Sequence, residues 1–123
     1  MKNKLYIFYF LFLLHSSLFA EEVSIQSKNI SLDKKNEVSI FEGEVIIVTE
    51  SKNILKSDYA EYNKRNGLIK LKGNISLIDN KKNVIEADEA EYDKNKKHFK
   101  SIGQTKLTTN EKYIVSGKNI NFN

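Results

Sequence analysis

The pattern of apolar and polar positions along the chain repeats every 30 residues. Under this shift Gly43, Gly73 and Gly103 coincide, and the segment 60–62 (Ala-Glu-Tyr) falls on the identical segment 90–92. A fixed period of this length is typical of repeat architectures, in which each unit buries its apolar face against its neighbours. The sequence therefore predicts a stack of four such units.

Within a unit, apolar residues alternate with polar ones. In the clearest unit they fall at Ile69, Leu71, Ile75 and Leu77, with Gly73 in phase between them. A period of two predicts β-strands with one buried and one solvated face. Clusters of Asn, Asp, Lys and Ser about fifteen residues apart indicate turns between these strands. We predict seven strands, at about 23–32, 38–49, 54–62, 68–79, 84–92, 98–108 and 113–122.

The second strand of each unit changes phase along its length. Leu55 and Ser57 occupy odd positions, whereas Ala60 and Tyr62 occupy even ones. Such a change requires a bulge or a sharp bend. Because it recurs in each unit, we expect strands that turn a corner, as in a rolled sheet. The equally spaced glycines support this expectation, since a strand glycine often marks a bend or the close approach of another backbone.

One strand departs from the alternation. The segment 45–48 (Val-Ile-Ile-Val) is apolar at every position, so Ile46 and Val48 are apolar on the face that should be solvated. We expect this strand to be covered on both sides or to contact another chain.

The first twenty residues differ from the rest. Lys2 and Lys4 precede an uninterrupted apolar run of ten residues, 5–14, and Ala20 precedes an acidic pair. This order is typical of a secretory signal peptide spanning residues 1–20, removed after Ala20. An uncleaved membrane anchor is the alternative, but 16 residues from position 5 to position 20 fall short of the roughly 20 that span a bilayer.

Composition excludes several classes of function. The chain has 123 residues and no cysteine, which rules out disulfides and thiolate metal sites. Without residues 1–20 it carries 18 basic and 16 acidic side chains. A net charge this close to zero does not indicate a nucleic-acid-binding protein.

Candidate catalytic groups are scarce. His98 is the one histidine outside the first twenty residues, and we expect it to be solvated. Without a cysteine or a second histidine it cannot form a nucleophile–base set. Asp88, Glu89 and Glu91 are best explained as the wet face of a strand rather than as a metal site or paired acid–base carboxylates. The glycines are too far apart for a phosphate loop. We therefore expect no enzymatic activity, no metal and no cofactor.

Two segments together form a recognisable motif. Residues 73–77 read Gly-Asn-Ile-Ser-Leu, and after a polar turn residues 85–93 read Ile-Glu-Ala-Asp-Glu-Ala-Glu-Tyr-Asp; an earlier copy of the second segment occupies 56–63. This pattern resembles the OstA-like (LptA) family of lipopolysaccharide-transport proteins over roughly residues 24–123. The resemblance implies an all-β fold for residues 21–123, an open twisted β-jellyroll of two facing antiparallel sheets built from ~30-residue two-strand repeats.

The resemblance also implies a function. Members of this family hold the acyl chains of lipopolysaccharide in an apolar groove between the two sheets. They stack by edge-strand pairing with other OstA-like domains and form a bridge across the periplasm from the inner to the outer membrane. The resemblance is also compatible with a homo-oligomer of this chain. The alternation of each strand independently supplies candidates for the groove: Phe41, Val45, Ile47, Leu55, Leu71, Ile75, Leu77, Ile85, Phe99, Leu107 and Val115.

Three alternatives to a periplasmic bridge protein stay open. The chain is a membrane-anchored member of the same pathway if residues 5–20 are retained. A second alternative is a truncated relative of the outer-membrane member, whose first domain has the same fold. From another class, a structural β-repeat of a surface protein, with a filled core, would show the same periodicity.

Overall fold

A computed structural model describes residues 23–123, and every regular element in this range is a β-strand. The predicted signal peptide lies outside the described residues. No helix long and apolar enough to cross a membrane occurs in the described range. The strands are β1 (Ser24–Gln26), β2 (Asn29–Asp33), β3 (Val38–Val48), β4 (Ile54–Asn63), β5 (Leu68–Ile78), β6 (Val84–Asp93), β7 (His98–Thr108), β8 (Ile114–Lys118) and β9 (Asn121–Phe122).

These strands form one antiparallel sheet in chain order. β3 to β7 pair successively, β1 and β2 both pair with β3, and β8 and β9 both pair with β7. The prediction of five long central strands is confirmed. The first and last predicted strands, 23–32 and 113–122, are each divided in two, so the prediction of seven continuous strands is wrong at both edges of the sheet.

The predicted corner lies at the repeated glycines. On β5, Gly73 and Asn74 lie opposite the single residue Asp88 of β6, which is a β-bulge. Gly43, Gly73 and Gly103 have φ values of +82°, +83° and +85°, a region that favours glycine. The extra residue therefore belongs to the first strand of each unit. The second strand has no extra residue, and its side chains change from odd to even inward positions where it pairs with that bulge.

The corner also explains the divided edge strands. Opposite the bulge of β3, the amide of Lys28 donates to the carbonyl of Gly43 at 2.9 Å. Opposite the bulge of β7, the amide of Asn119 donates to the carbonyl of Gly103 at 3.1 Å, and the Gly103 amide donates to the Asn119 side chain at 2.8 Å. An edge strand has a partner on one side only, so its ladder is interrupted where that partner bulges.

The row of bulges bends the sheet into two halves that face each other. The first half-sheet contains β2, β9 and the residues 38–42, 59–63, 68–72, 89–93 and 98–102. The second half-sheet contains β1, β8 and the residues 45–48, 54–57, 75–78, 84–87 and 105–108. One core cluster includes side chains of both halves, such as Phe99 from the first and Ile47 from the second. The open β-jellyroll class is thus confirmed, with its facing layers formed by one continuous hydrogen-bonded sheet.

The apolar outer face of the 45–48 segment belongs to a longer row. Val48 pairs in register with Ile54, Ile54 with Ile78, and Ile78 with Val84. Residues in register share a face of the sheet, so these side chains are neighbours on its outer surface. Val48, Ile78 and Val84 are half-buried there.

Candidate functional site

The inner faces of the two half-sheets enclose an apolar space, here called the trough. Cross-strand register places one inner row across the whole width of the second half-sheet: Ile25, Ile47, Leu55, Leu77, Ile85, Leu107 and Val115. A corresponding row crosses the first half-sheet: Leu32, Ser39, Tyr62, Ile69, Tyr92, Phe99 and Phe122. Because residues in register share a face, each row is continuous from one edge of the sheet to the other.

The candidates from the sequence lie along the trough. Nine of them are buried in the core: Phe41, Val45, Ile47, Leu55, Leu71, Ile75, Leu77, Ile85 and Phe99. Leu107 is partly buried against this core. Val115 is 51% exposed, because β8 is an edge strand with no further strand beyond it. Contact between any of these side chains and a lipid stays a prediction.

Several inner residues were missed from the sequence. Ala60, Ala90 and Tyr92 are buried in the same core. All of the candidates chosen from the sequence have odd numbers, whereas these residues follow the corner and have even numbers. The change of phase in each second strand was the signal that identifies them.

The trough is filled in the middle and open at both ends. At the first edge, Ile30 is 57% and Leu32 68% exposed, although both face inward. In the middle, the core side chains of both half-sheets are buried. A cavity of about 80 Å³ beside Leu77, Tyr92 and Phe99 lies toward the turn 49–53, whose residues also line it. That volume matches roughly two or three water molecules. An acyl chain can therefore occupy the middle only if the half-sheets separate.

We call the opening between the two half-sheets, on the side opposite the corner, the mouth of the trough. A side-chain hydrogen bond crosses it. The hydroxyl of Tyr92, near the end of β6, donates to the carboxylate of Glu50 at 2.8 Å. Glu50 lies in the turn that connects β3 to β4, on the opposite half-sheet. Burial, and then the hydrogen bond to Glu50, raise the pKa of the Tyr92 phenol, which therefore stays protonated and able to donate.

The one histidine of the described residues lies at the surface of the protein, where its ring also makes hydrogen bonds within the chain. His98 is half-buried, and its Nε2 lies 3.2 Å from Oδ1 of Asn121. Its Nδ1 is hydrogen-bonded to the side chain of Asn123. The ring therefore fastens the last residues of the chain to β7 and has no nucleophile beside it.

The acidic cluster of β6 has a structural explanation. Asp88 and Glu89 are exposed. Glu91 lies in register between Lys70 of β5 and Lys100 of β7 on the solvated face. Opposite charges in register across strands stabilise a sheet. Within residues 23–123 no group of three His, Asp or Glu side chains is arranged to hold a metal ion.

Comparisons with known proteins agree with this architecture. A family model described as LptA/(LptD N-terminal domain) LPS transport protein matches residues 24–123. Among solved structures, the chain is similar to LptH from Pseudomonas aeruginosa, described as the LptA homologous periplasmic component of the conserved lipopolysaccharide transport device. The TM-score is 0.67 at 17% identity, over 83% of this chain and 76% of that one. Among curated proteins, none matches this chain in sequence.

Proposed function

Because the chain belongs to the LptA/LptD N-terminal family of lipopolysaccharide transport proteins, which are not enzymes, we propose that it is a periplasmic bridge protein. In this role it binds lipopolysaccharide, holds the acyl chains in the trough and passes the molecule from the inner to the outer membrane for outer-membrane assembly.

The observation that carries this proposal is the continuity of the inner apolar rows. The row of the first half-sheet is apolar except at Ser39 and ends at one edge in the exposed Leu32. The row of the second half-sheet is apolar throughout and ends at the other edge in the exposed Val115. A filled globular core has no reason to leave inward-facing aliphatic residues in water at both ends. An acyl chain placed along such a row gains roughly 0.8 kcal/mol for each buried methylene, without any specific polar site.

The filled middle sets the condition for loading. Most of the side chains that meet there are apolar, so an acyl chain that separates the half-sheets mainly replaces apolar contacts with apolar contacts. Within residues 23–123, two hydrogen bonds between side chains join the half-sheets: that from Tyr92 to Glu50 at the mouth, and that between Ser101 and Thr105 near the corner. Separation that begins at the mouth breaks the first. We infer that lipid enters at an open end and separates the half-sheets as it advances.

The edges of the sheet supply the contacts for a bridge. β1 and β2 at one edge, and β8 and β9 at the other, each pair on one side only. Free backbone groups of this kind pair with an edge strand of another domain. All neighbouring strands are antiparallel, and the two edges are separated by five strands, so both edges run in the same direction. A second copy, or another domain of the family, that continues the trough therefore pairs in parallel.

Removal of residues 1–20 would release the protein into the periplasm. Amino-terminal sequencing of the exported protein tests this part of the proposal. A sequence starting at Glu21 supports a free bridge protein, whereas retention of residues 5–20 supports the membrane-anchored alternative.

A binding experiment tests the proposal as a whole. The purified protein is titrated with lipopolysaccharide and, in parallel, with the same molecule after complete removal of its acyl chains. We expect saturable binding of the intact molecule and none of the deacylated one, because the trough recognises acyl chains. Equal binding of both, or binding of neither, would contradict the proposal and favour a structural β-repeat.

A further inference from the structure

The loops at the outer edge of the first half-sheet form one continuous structure. Three turns connect the strands there, and each is taken together with the last residue of the preceding strand: 33–37, 63–67 and 93–97. The amide of Lys64 donates to the carbonyl of Glu37 at 3.0 Å, and the amide of Lys94 donates to the carbonyl of Gly67 at 2.9 Å. Each turn is thereby bonded to the next. We call this structure the turn ridge.

The turn ridge contains the whole excess positive charge of the described chain. Its basic residues are Lys34, Lys35, Lys64, Arg65, Lys94, Lys96 and Lys97, and its acidic residues are Asp33, Glu37 and Asp93. The net charge of +4 equals that of residues 23–123, which carry 18 basic and 14 acidic side chains. The turns at the edge of the second half-sheet, 49–53, 79–83 and 109–113, have four basic and three acidic side chains.

The carboxylates of the turn ridge are occupied by the turns themselves. Oδ1 of Asp33 accepts the amides of Lys35 and Asn36 at 3.1 and 3.2 Å, and the hydrogen bonds from Asn36 lower its pKa. Oδ1 of Asp93 accepts the amides of two residues of its own turn in the same way. Glu37 pairs with Arg65 at 3.5 Å.

The lysines of the turn ridge are left available. None of them has a carboxylate oxygen of residues 23–123 within 4.0 Å, since the ion pairs in that range involve Lys28 and Arg65. Their charge is therefore not neutralised locally. Such lysines are suited to an anionic group from outside the chain, because a phosphate accepts several charge-assisted hydrogen bonds.

The turn ridge lies beside the apolar surface of the trough. Nζ of Lys94 is 6.0 Å from the centroid of the Tyr62 ring, which packs against the core. At the open end, a cavity of about 480 Å³ is lined by Lys34 and Lys64 together with the inward-facing, exposed Leu32. The two carboxylates of the turn ridge that also line it are the ones already engaged by turn amides and by Arg65. Two ammonium groups without an ion-pair partner and an exposed aliphatic side chain thus lie in one cavity.

We propose that Lys34 and Lys64 bind a phosphate of an anionic lipid whose acyl chains lie on Leu32 and in the adjoining trough. This inference rests on the proposed function and deepens it. The phosphate stays in water at the turn ridge while the acyl chains leave water. The lipid is thereby held in one orientation, with its phosphorylated end at the edge of the first half-sheet.

A matched pair of variants tests the site. The double variant Lys34→Gln/Lys64→Gln changes the turn ridge, and Lys52→Gln/Lys82→Gln removes the same charge from the opposite turns. Each is titrated with phosphorylated lipid A, with the same lipid after enzymatic dephosphorylation, and with inorganic phosphate. We expect the ridge variant to bind phosphorylated lipid A about tenfold more weakly, with the loss shrinking at high salt, and the control to change by less than about twofold.

Several results separate this inference from the function on which it rests. If both variants lose affinity equally, or if the wild type binds phosphorylated and dephosphorylated lipid equally, the phosphate site is overturned while lipid binding stands. If inorganic phosphate alone binds the wild type as tightly as phosphorylated lipid A does, and if the ridge variant loses this binding, the site binds free phosphate and a lipid site is overturned. Failure of the wild type to bind either lipid overturns both proposals. Lys34→Arg/Lys64→Arg should retain most of the affinity, which shows that a loss in the glutamine variant reflects charge.

Discussion

Tyr92 and Glu50 are 42 positions apart in the sequence, and the tyrosine hydroxyl donates a 2.8 Å hydrogen bond to the carboxylate across the mouth of the trough. The bond joins the end of a strand in one half-sheet to a turn of the other. The two halves are also held by the bend at the bulges, by apolar packing and, near the corner, by a hydrogen bond between the hydroxyls of Ser101 and Thr105. The Tyr92–Glu50 pair is the hydrogen bond that constrains the separation at the mouth.

Replacement of Tyr92 by Phe should reduce the free energy of unfolding by about 1–3 kcal/mol, because it leaves a half-buried carboxylate without its donor. Urea unfolding measures the change. Tyr62→Phe is the matched control, since Tyr62 is one repeat earlier and its hydroxyl makes no hydrogen bond within residues 23–123. The role assigned to the pair is wrong if the two variants are equally stable.

The bulge glycines differ in what surrounds them. At Gly73 an added Cβ would lie 2.8 Å from Oδ2 of Asp58, whereas at Gly103 no atom lies within 4 Å of it, although both have positive φ. Gly103→Ala should cost about 1–2 kcal/mol from backbone strain alone, and Gly73→Ala should cost more. Gly117→Ala is the control without positive φ or a close neighbour. Thermal unfolding of the three variants should place Gly73→Ala lowest; equal losses at 73 and 103 would contradict the close approach of Asp58.

Asp79 stabilises the turn between β5 and β6 in its ionised form. Burial raises its pKa, but hydrogen bonds from Asn83 and Lys81 outweigh burial and hold the pKa below its ordinary value of 3.8. The folded state therefore favours the carboxylate, so this stabilisation is complete above pH 3.8 and is lost as the pH falls through the lowered pKa.

The variant Asp79→Asn should be less stable than the wild type at pH 7, by about 0.5–1 kcal/mol because the turn is solvated. The difference should shrink as the pH is lowered below 3.8. Urea unfolding at a series of pH values measures it. Asp88→Asn is the control, since the Asp88 carboxylate is exposed and makes no hydrogen bond within the described residues. A difference that persists unchanged at pH 2 would refute the assignment.

The inner row predicts a gradient of stability from the middle of the trough to its edge. Leu77 is fully buried, whereas Val115 faces the same space but is 51% exposed. Leu77→Ala should cost about 2–5 kcal/mol through the cavity that it leaves. Val115→Ala should cost less than about 1 kcal/mol, because most of its side chain is already in water. Similar losses at both positions would mean that the edge is as well packed as the centre.

The repeat, the strands and the corner could be predicted from the sequence because each depends on local spacing. Gly73 and its equivalents recur every 30 residues. The inward positions of the second strand change from odd numbers up to Ser57 to even numbers by Tyr62. The strand that carries the extra residue could not be assigned from the sequence. A register shift involves two paired strands, and the sequence signal for it can lie in either of them. The interruption of the edge strands near Lys28 and Asn119 depends on the neighbouring bulge for the same reason.

The contacts between distant repeats were beyond prediction from spacing. Nothing local distinguishes Glu50 as the partner of Tyr92, because the pairing depends on how the half-sheets fold over one another. The turn ridge was equally hidden. Its lysines belong to turns 30 residues apart, and the sequence alone does not show that these turns are bonded into one edge beside an apolar surface.

Photo-crosslinking from neighbouring residues on opposite faces shows whether the trough holds lipopolysaccharide. A photoreactive amino acid is placed at Leu77, which faces the trough, or at Ser76, which faces outward on the same strand, in cells that make lipopolysaccharide. At the open edge, Val115 and Ser116 form the equivalent pair, with Val115 facing the trough and Ser116 facing outward. We expect lipopolysaccharide adducts from Leu77 and Val115 and none from Ser76 and Ser116. Adducts from both faces alike, or from neither inner position, would contradict the proposed binding of lipopolysaccharide in the trough.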